Sequence, residues 1–360
     1  MIAFSCRHCG ERMQVTEDGG CRRAVCLSCG QGVSIPAGES GLRRARSTTA
    51  VAVRVTPAAS QAVHQLPTRV EATPRAGESL TSFLTPAREP GEIGRLGPYR
   101  VLSLVGAGGM GVVFRAHDPT LDRVVALKAM LPSLAVSATA RERFVREARL
   151  AAAIQHDHVV TIFQVGEDRG VPFLAMPFLR GESLDQGLAR RGSLPAPEAT
   201  RIARQIAEGL AAIHELGLVH RDIKPANVFL EGESSRVKIL DFGLARAVGG
   251  DVQLTRDGTI VGSPAFMAPE QASRQAVDAR ADLFSLGCVL YQMLTGELPF
   301  EREDALATLL AAQTEPPTPP RDLCPEVPVE LSELVLRMLE KRPQDRPASA
   351  RAVAAALADQ

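Results

Sequence analysis

The sequence has no run of about 18 or more apolar residues, so no transmembrane helix is expected. It has no excess of charge: Lys+Arg and Asp+Glu are 41 each, and bulk charge gives no argument for nucleic acid or an anionic membrane as partner. Its first ten residues hold Cys, Arg and His where a secretory signal would need an apolar core, so the expected compartment is the cytoplasm. Cysteine is scarce after the N-terminus: of seven, five lie in the first 29 residues. In a reducing compartment such a cluster favours metal binding over disulfides. What is present is enough to build a core. The 360 residues are 45% hydrophobic and 23% charged, which suits two or three folded units.

Three zones separate by composition. Residues 1–36 hold the cysteine cluster. Residues 37–97 are rich in Pro, Ala, Ser, Thr and Arg with one aromatic, Phe83, and read as a flexible linker that cannot bury enough surface to offset its chain entropy. That linker carries the pairs Thr56-Pro57, Thr73-Pro74 and Thr85-Pro86, each a possible phosphorylation site or ordinary linker chemistry. Residues 98–358 read as one α+β unit. Strands are expected over 99–105, 112–117, 124–130, 159–165 and 171–176, with a helix over 138–155 carrying Phe144, Ala148 and Ala151 at steps of three and four. The remainder is mostly helical: 197–216, 279–294 and 329–339. A small sheet with one helix (98–178) followed by a larger helical part (179–358) implies two lobes with a cleft between them.

Four motifs carry chemistry. The first is Val105-Gly106-Ala107-Gly108-Gly109-Met110-Gly111-Val112-Val113, between two strands. Glycines let backbone amides approach phosphate oxygens. A dinucleotide fingerprint needs a helix directly after the glycines, and here a strand follows; alone, the motif fits a plain glycine-rich hairpin as well. The second is Lys128, ending the apolar strand Val125-Ala126-Leu127, with Glu147 on the helix 19 residues later. An ion pair between them would aim the ammonium at phosphates, and a snorkelling surface lysine is the bland alternative. The third is His220-Arg221-Asp222-Ile223-Lys224-Pro225-Ala226-Asn227. Asp222 can accept a proton from an attacking hydroxyl, Lys224 can neutralise phosphoryl charge, and Asn227 offers an amide oxygen to a metal. The fourth is Asp241-Phe242-Gly243, after the strand 237–240. Its carboxylate joins Asn227 as the kind of hard-oxygen donor Mg2+ takes alongside phosphate.

Together, in this order and with Ala268-Pro269-Glu270 after them, these motifs resemble the eukaryotic-type protein kinases, in the style of bacterial serine/threonine kinases. The resemblance spans residues 98–357 and implies the bilobal kinase fold, with ATP and Mg2+ (or Mn2+) as cofactors and Ser/Thr hydroxyls of proteins as acceptors. It further implies Asp222 as catalytic base or hydroxyl-orienting group, Asn227 and Asp241 as Mg2+ ligands, and Lys128 paired with Glu147 as ATP-positioning groups. Residues 105–113 would cover the phosphates, while Pro177 (through C=O) and Leu179 (through N–H) would meet adenine. Lys224 matches the serine/threonine branch. Arg221 would lie under the activation segment 241–270, where a phosphate on Thr255, Thr259 or Ser263 would pair with it; autophosphorylation, within a homodimer, is the expected activation. Glu270 with Arg346, and Asp282 beneath the catalytic loop, would be scaffold, and Cys288 a core residue. Because Lys128, Asp222, Asn227 and Asp241 are intact, an active enzyme is expected over a kinase-fold scaffold whose N-terminal module binds partners or nucleic acid.

That module carries Cys6-Arg7-His8-Cys9-Gly10 and Cys26-Leu27-Ser28-Cys29-Gly30, two CxxCG knuckles separated by sixteen residues. Four thiolates complete a tetrahedral structural Zn2+ site, and the pattern resembles a zinc ribbon. A module of 36 residues has too little core to fold unaided, so metal would supply the missing stability. Cys21 could replace one ligand. Low aromatic content gives no nucleic-acid footprint, which leaves protein docking or targeting as its expected task.

Overall fold

The structure, a computed structural model, describes residues 80–108, 111–241, 264–273 and 276–360, together with four short N-terminal strands. The chain divides into two units, 1–64 and 65–360.

In the first unit, β1 (Ile2–Ser5) pairs antiparallel with β2 (Arg12–Val15), and β3 (Arg23–Val25) with β4 (Gly32–Ser34). Each is a separate two-stranded ladder. Residues 6–11 and 26–31 are the two connections, so each CxxCG knuckle falls between paired strands. Cys6, Cys9, Cys21, Cys26 and Cys29 themselves lie outside the described residues.

The second unit opens on β5 (Gly94–Leu96), β6 (Tyr99–Gly108), β7 (Gly111–Asp118) and β8 (Arg123–Met130). Helix α1 (Ala138–Ala151) follows, then β9 (Gln164–Asp168) and β10 (Val171–Pro177). The six strands form one antiparallel sheet in the order β5-β6-β7-β8-β10-β9. Alternating residues of these strands, among them Val101, Val112, Phe114, Leu127 and Phe173, meet in one apolar cluster, as the period of two requires. Helix α1 is N-capped by Ser137, whose hydroxyl accepts from Ala140 N, and it buries Ala140, Phe144, Ala148 and Ala151.

Three expectations are corrected here. The expected linker ends before residue 80: Leu84 and Leu96 are buried in the sheet's core, Phe83 packs against the same cluster, and Thr85 bridges Arg95. Beside them the buried Glu92 accepts from the backbone N–H groups of Arg88 and Glu89 and from the guanidiniums of Arg95 and Arg100. The helix expected over 138–155 stops at Ala151. The strand expected over 159–165 begins only at Gln164, because the residues before it bond alternately to two different sheets. Val160 N donates to Ile239 O, and Phe163 N donates to Ala175 O.

The helical part starts with β11 (Gly181–Ser183) and α2 (Leu184–Arg191), whose capping box joins Ser183 and Gln186. Next come α3 (Ala196–Glu215), β12 (Val228–Glu231) and β13 (Arg236–Ile239), with β11-β12-β13 as a small antiparallel sheet. Then follow α4 (Arg280–Thr295), α5 (Ala305–Thr314), α6 (Val329–Met338) and α7 (Ala350–Ala358). Helix α3 buries Ala199, Ile202, Ala203, Ile206, Leu210 and Ile213 on one stripe. Helix α4 is buried nearly all round, including Cys288, and ends at Gly296 in the left-handed conformation. No described helix is long and apolar enough to cross a membrane.

Candidate active site

The loop between α3 and β12 carries Asp222, Lys224 and Asn227, and it is fixed from beneath. Asp282, fully buried near the start of α4, accepts from the backbone N–H of His220 (2.8 Å) and of Arg221 (2.7 Å) and from His214 Nε2 (2.8 Å). The His220 ring donates from Nε2 to Leu240 O at 2.8 Å and accepts at Nδ1 from Asp222 N at 3.3 Å, so one neutral tautomer serves both bonds. Leu240 N in turn donates to Asn227 O at 2.9 Å, which holds Asp241 beside the loop. Arg221 and Asp241 have φ of 65° and 56°, a conformation that costs energy for a side chain with a Cβ. Both are held there by the bonds just described.

Within the loop, Asn227 Nδ2 donates to Asp222 O and to Asp222 Oδ2, both at 2.9 Å, and Lys224 Nζ lies 2.9 Å from the same Oδ2. The loop therefore assembles a carboxylate, an ammonium and an amide within hydrogen-bond reach of one another. With Nδ2 committed, the acceptor of Asn227 for a cation is Oδ1.

Across the cleft, Lys128 on β8 reaches Asp241 at 2.5 Å, Nζ to Oδ1. Burial alone would raise the Asp241 carboxyl; the Lys128 ammonium, supported by Lys224, outweighs it and holds the group below its ordinary value. The expected pair of Lys128 with Glu147 is not made in this structure. One ammonium gains most from the carboxylate it touches in a low-dielectric cleft, and that carboxylate belongs to Asp241. Glu147 Oε2 is buried without a hydrogen-bond partner, and desolvation raises its carboxyl above the ordinary range despite Arg146, Arg221 and Arg143 nearby.

The glycine-rich segment is a hairpin. Gly106 pairs with Val113, Ala107 with Val112 and Gly108 with Gly111 across β6 and β7. Ala107 and Val112 turn toward the sheet's core, while Val105, Gly106, Gly108 and Val113 are half-buried. Gly111 has a structural reason of its own: a Cβ there would stand 2.5 Å from Ala129 O on β8. Gly109 and Met110 lie outside the described residues, as do Thr255, Thr259 and Ser263. Pro177 ends β10, opposite Val125 of β8, and Leu179 is buried two residues later.

One scaffold residue was not legible in the sequence. Gln271 is buried, accepts from Ala268 N at 3.0 Å and donates to Arg221 O at 3.1 Å, tying the helical part to the loop. A lone glutamine has no spacing signal that could have singled it out. Its neighbour Glu270 takes a bidentate bond from Arg346, at 2.7 and 2.9 Å, with both side chains buried.

The family model described as protein kinase domain matches residues 99–357. This chain belongs to the protein kinase family. Over 268 residues, 72% of the chain, it is 40% identical to the serine/threonine-protein kinase pkn3 of Myxococcus xanthus, of which it covers 49%. It is 36% identical to the probable serine/threonine-protein kinase PknB of Corynebacterium glutamicum, again over 72% of the chain and covering 41% of that protein. The chain thus spans half or less of the length of these curated relatives. Among solved structures, the PknI kinase domain of Mycobacterium tuberculosis superposes with a TM-score of 0.60 at 29% identity, covering 76% of this chain and 99% of that domain. A sheet lobe followed by a helical lobe is the kinase architecture.

Proposed function

We propose that this kinase-family chain transfers the γ-phosphoryl group of ATP to serine and threonine hydroxyls of proteins, in a bacterial signalling role. The observation that carries the reading is the joining of Asp222, Lys224 and Asn227 in one hydrogen-bonded loop beside the Lys128–Asp241 pair. Asp222 orients the acceptor hydroxyl and takes its proton. Lys224 and Lys128 offset charge on the phosphates, and the β6–β7 hairpin covers them, with Pro177 and Leu179 meeting adenine. The donor set fits a hard divalent ion: the Asp241 carboxylate, held ionised, and Asn227 Oδ1 are oxygen ligands of the kind Mg2+ or Mn2+ takes. Such an ion would neutralise phosphate charge as it develops. The protein's own contribution is positioning and fixed electrostatics.

Autophosphorylation on Thr255, Thr259 or Ser263, between two copies of the chain, extends this reading. For residues 1–36 we infer a structural Zn2+ held by Cys6, Cys9, Cys26 and Cys29. Support comes from the two strand pairs, each placing one knuckle in its connection. The test of the central reading is phosphoryl transfer from labelled ATP to a Ser/Thr protein substrate, comparing wild type with Asp222→Ala and Asp241→Ala. Loss in both variants is expected; full activity in either rejects the assignment of that residue.

A further inference from the structure

Helix α1 turns the face opposite its buried alanines and Phe144 outward. There Arg141, Arg146 and Arg149, with Val145 and Leu150 among them, line an open groove of about 500 Å³. Two carboxylates, Glu142 and Glu167, also line it, so positive charge is in excess. Leu150 is 46% exposed. No salt bridge joins any of the three arginines to another described residue. Guanidiniums at positions 146 and 149 are neighbours at i and i+3 on one helical face, a spacing that lets both grip one tetrahedral anion. Arginine is the side chain best shaped for that grip.

The chain itself leads to this groove. The Arg169 guanidinium donates to Phe83 O, and Arg141 Nη1 stands beside Gly170, the next residue of the β9–β10 turn. The described chain therefore starts, at Leu80, close to the turn that borders the groove. Thr73 lies seven residues earlier in the sequence. Seven extended residues span about 24 Å, and Arg149 lies eight residues, about 12 Å, along α1 from Arg141, so the Arg146–Arg149 stretch is within the reach of Thr73. Of the three Thr-Pro pairs, Thr85 is committed, its hydroxyl donating to Arg95 O at 3.1 Å, and Thr56 belongs to the other unit. Thr73 remains. Val70, three residues before it, is an apolar match for Val145 and Leu150.

We propose that the outer face of α1 is a docking groove for residues 66–79 of this same chain, with a phosphate on Thr73 held between Arg146 and Arg149. The phosphate forms when Thr73 Oγ1 attacks the γ-phosphorus of ATP: the bond to the β–γ bridging oxygen breaks, ADP leaves, and the hydroxyl proton is released. This chain or another ATP-dependent kinase supplies that step, so the docking does not rest on the activity proposed above. Three arginines against two carboxylates leave one net positive charge, and a phosphate of about −1.5 to −2 charges more than neutralises it. Glu147 lies on the opposite face of α1, so an occupied groove bears on the helix that carries a proposed ATP-positioning group.

The test uses the full chain carrying Thr73→Ala, so that its own segment cannot occupy the groove through a phosphate. A fluorescent synthetic peptide of residues 66–79, with and without phosphate on Thr73, is titrated and followed by anisotropy. The phosphopeptide binds, the unmodified peptide binds at least about tenfold more weakly, and Arg146→Gln with Arg149→Gln removes that difference. Arg146→Lys with Arg149→Lys retains part of it, and all variants melt at the wild-type temperature because the side chains are exposed. Equal binding of the two peptides overturns the proposal. So does undiminished binding to the double Gln variant, or equal binding of an unrelated phosphothreonine peptide, which would show a generic phosphate site.

Discussion

Lys128 Nζ and Asp241 Oδ1 stand 2.5 Å apart, while the Glu147 carboxyl is desolvated, with one oxygen unpaired. Opposite effects on stability and activity follow from substituting Glu147. Desolvation raises its carboxyl above the unfolded value of 4.5. The unfolded chain therefore loses its proton first, and folding stability falls as pH rises from 4.5 through the folded value. Gln does not titrate, so the melting temperature of Glu147→Gln should gain on wild type between pH 4 and 7. If Glu147 exchanges with Asp241 for Lys128 during turnover, the same variant loses about tenfold or more in kcat. Lys128→Met, which removes the cleft's ammonium outright, should lose about 10²-fold or more. Thermal melts across pH and initial rates with labelled ATP check both; an unchanged kcat in Glu147→Gln would end the exchange.

What was legible in the sequence was whatever local spacing encodes. The glycine hairpin, the loop 220–227 and the strand before Asp241 are each written in one short stretch of sequence, and each was placed to within a few residues. Partner choice was less legible. Lys128 is 19 residues from Glu147 but 113 from Asp241, and nothing in a spacing says which carboxylate wins in a part-buried cleft. Residues 80–97 were misread for a related reason. Their composition is polar and proline-bearing, yet Leu84 and Leu96 find a ready-made apolar surface on the sheet, and Glu92 finds four donors. Composition measures what a segment can bury alone, not what a neighbour lends it.

Glu92 gives a pH signature for that segment. Backbone N–H of Arg88, then Arg95, Glu89 N–H and Arg100 hold its carboxyl at about 2, against the ordinary 4.5, although burial works the other way. A depressed carboxyl contributes stability that is fully present above the unfolded value and is lost as pH falls toward the folded one. Wild type should therefore exceed Glu92→Gln in urea midpoint at pH 7, and the gap should narrow between about pH 4.5 and 2. Other carboxylates titrate in both proteins and drop out of the difference. A gap independent of pH would assign Glu92 a packing role only.

The Glu270–Arg346 pair is the test of the helical scaffold. Arg346 is 0% and Glu270 2% exposed in side chain, and the guanidinium also donates to the carbonyls of Arg280, Glu340 and Lys341. Removing one partner strands a buried charge, so Arg346→Ala should cost about 3–5 kcal/mol of unfolding free energy. Glu270→Gln should cost less, because the guanidinium left behind keeps one amide acceptor and its three carbonyl partners. Denaturant titration of the three proteins measures this. Equal costs for both substitutions would show that the charge pairing disturbed in both, not the three carbonyl bonds that only Arg346→Ala removes, dominates.

Metal removal separates the two units. The N-terminal ladders have four and three residues per strand, and a lone two-stranded hairpin is marginal in water. If Cys6, Cys9, Cys26 and Cys29 hold zinc, its binding free energy is folding free energy for that unit, and a strong chelator should unfold it alone. The purified chain should carry one zinc per molecule by elemental analysis, and chelation should open residues 1–36 to protease. The melting transition of the kinase unit should stay in place, since the described apolar cluster of its sheet is built from residues 84–175. Cys26→Ser should mimic chelation without added chelator. A zinc-free chain whose N-terminus resists protease equally with and without chelator would remove the metal from the account and leave the two knuckles as turns closed by backbone pairing.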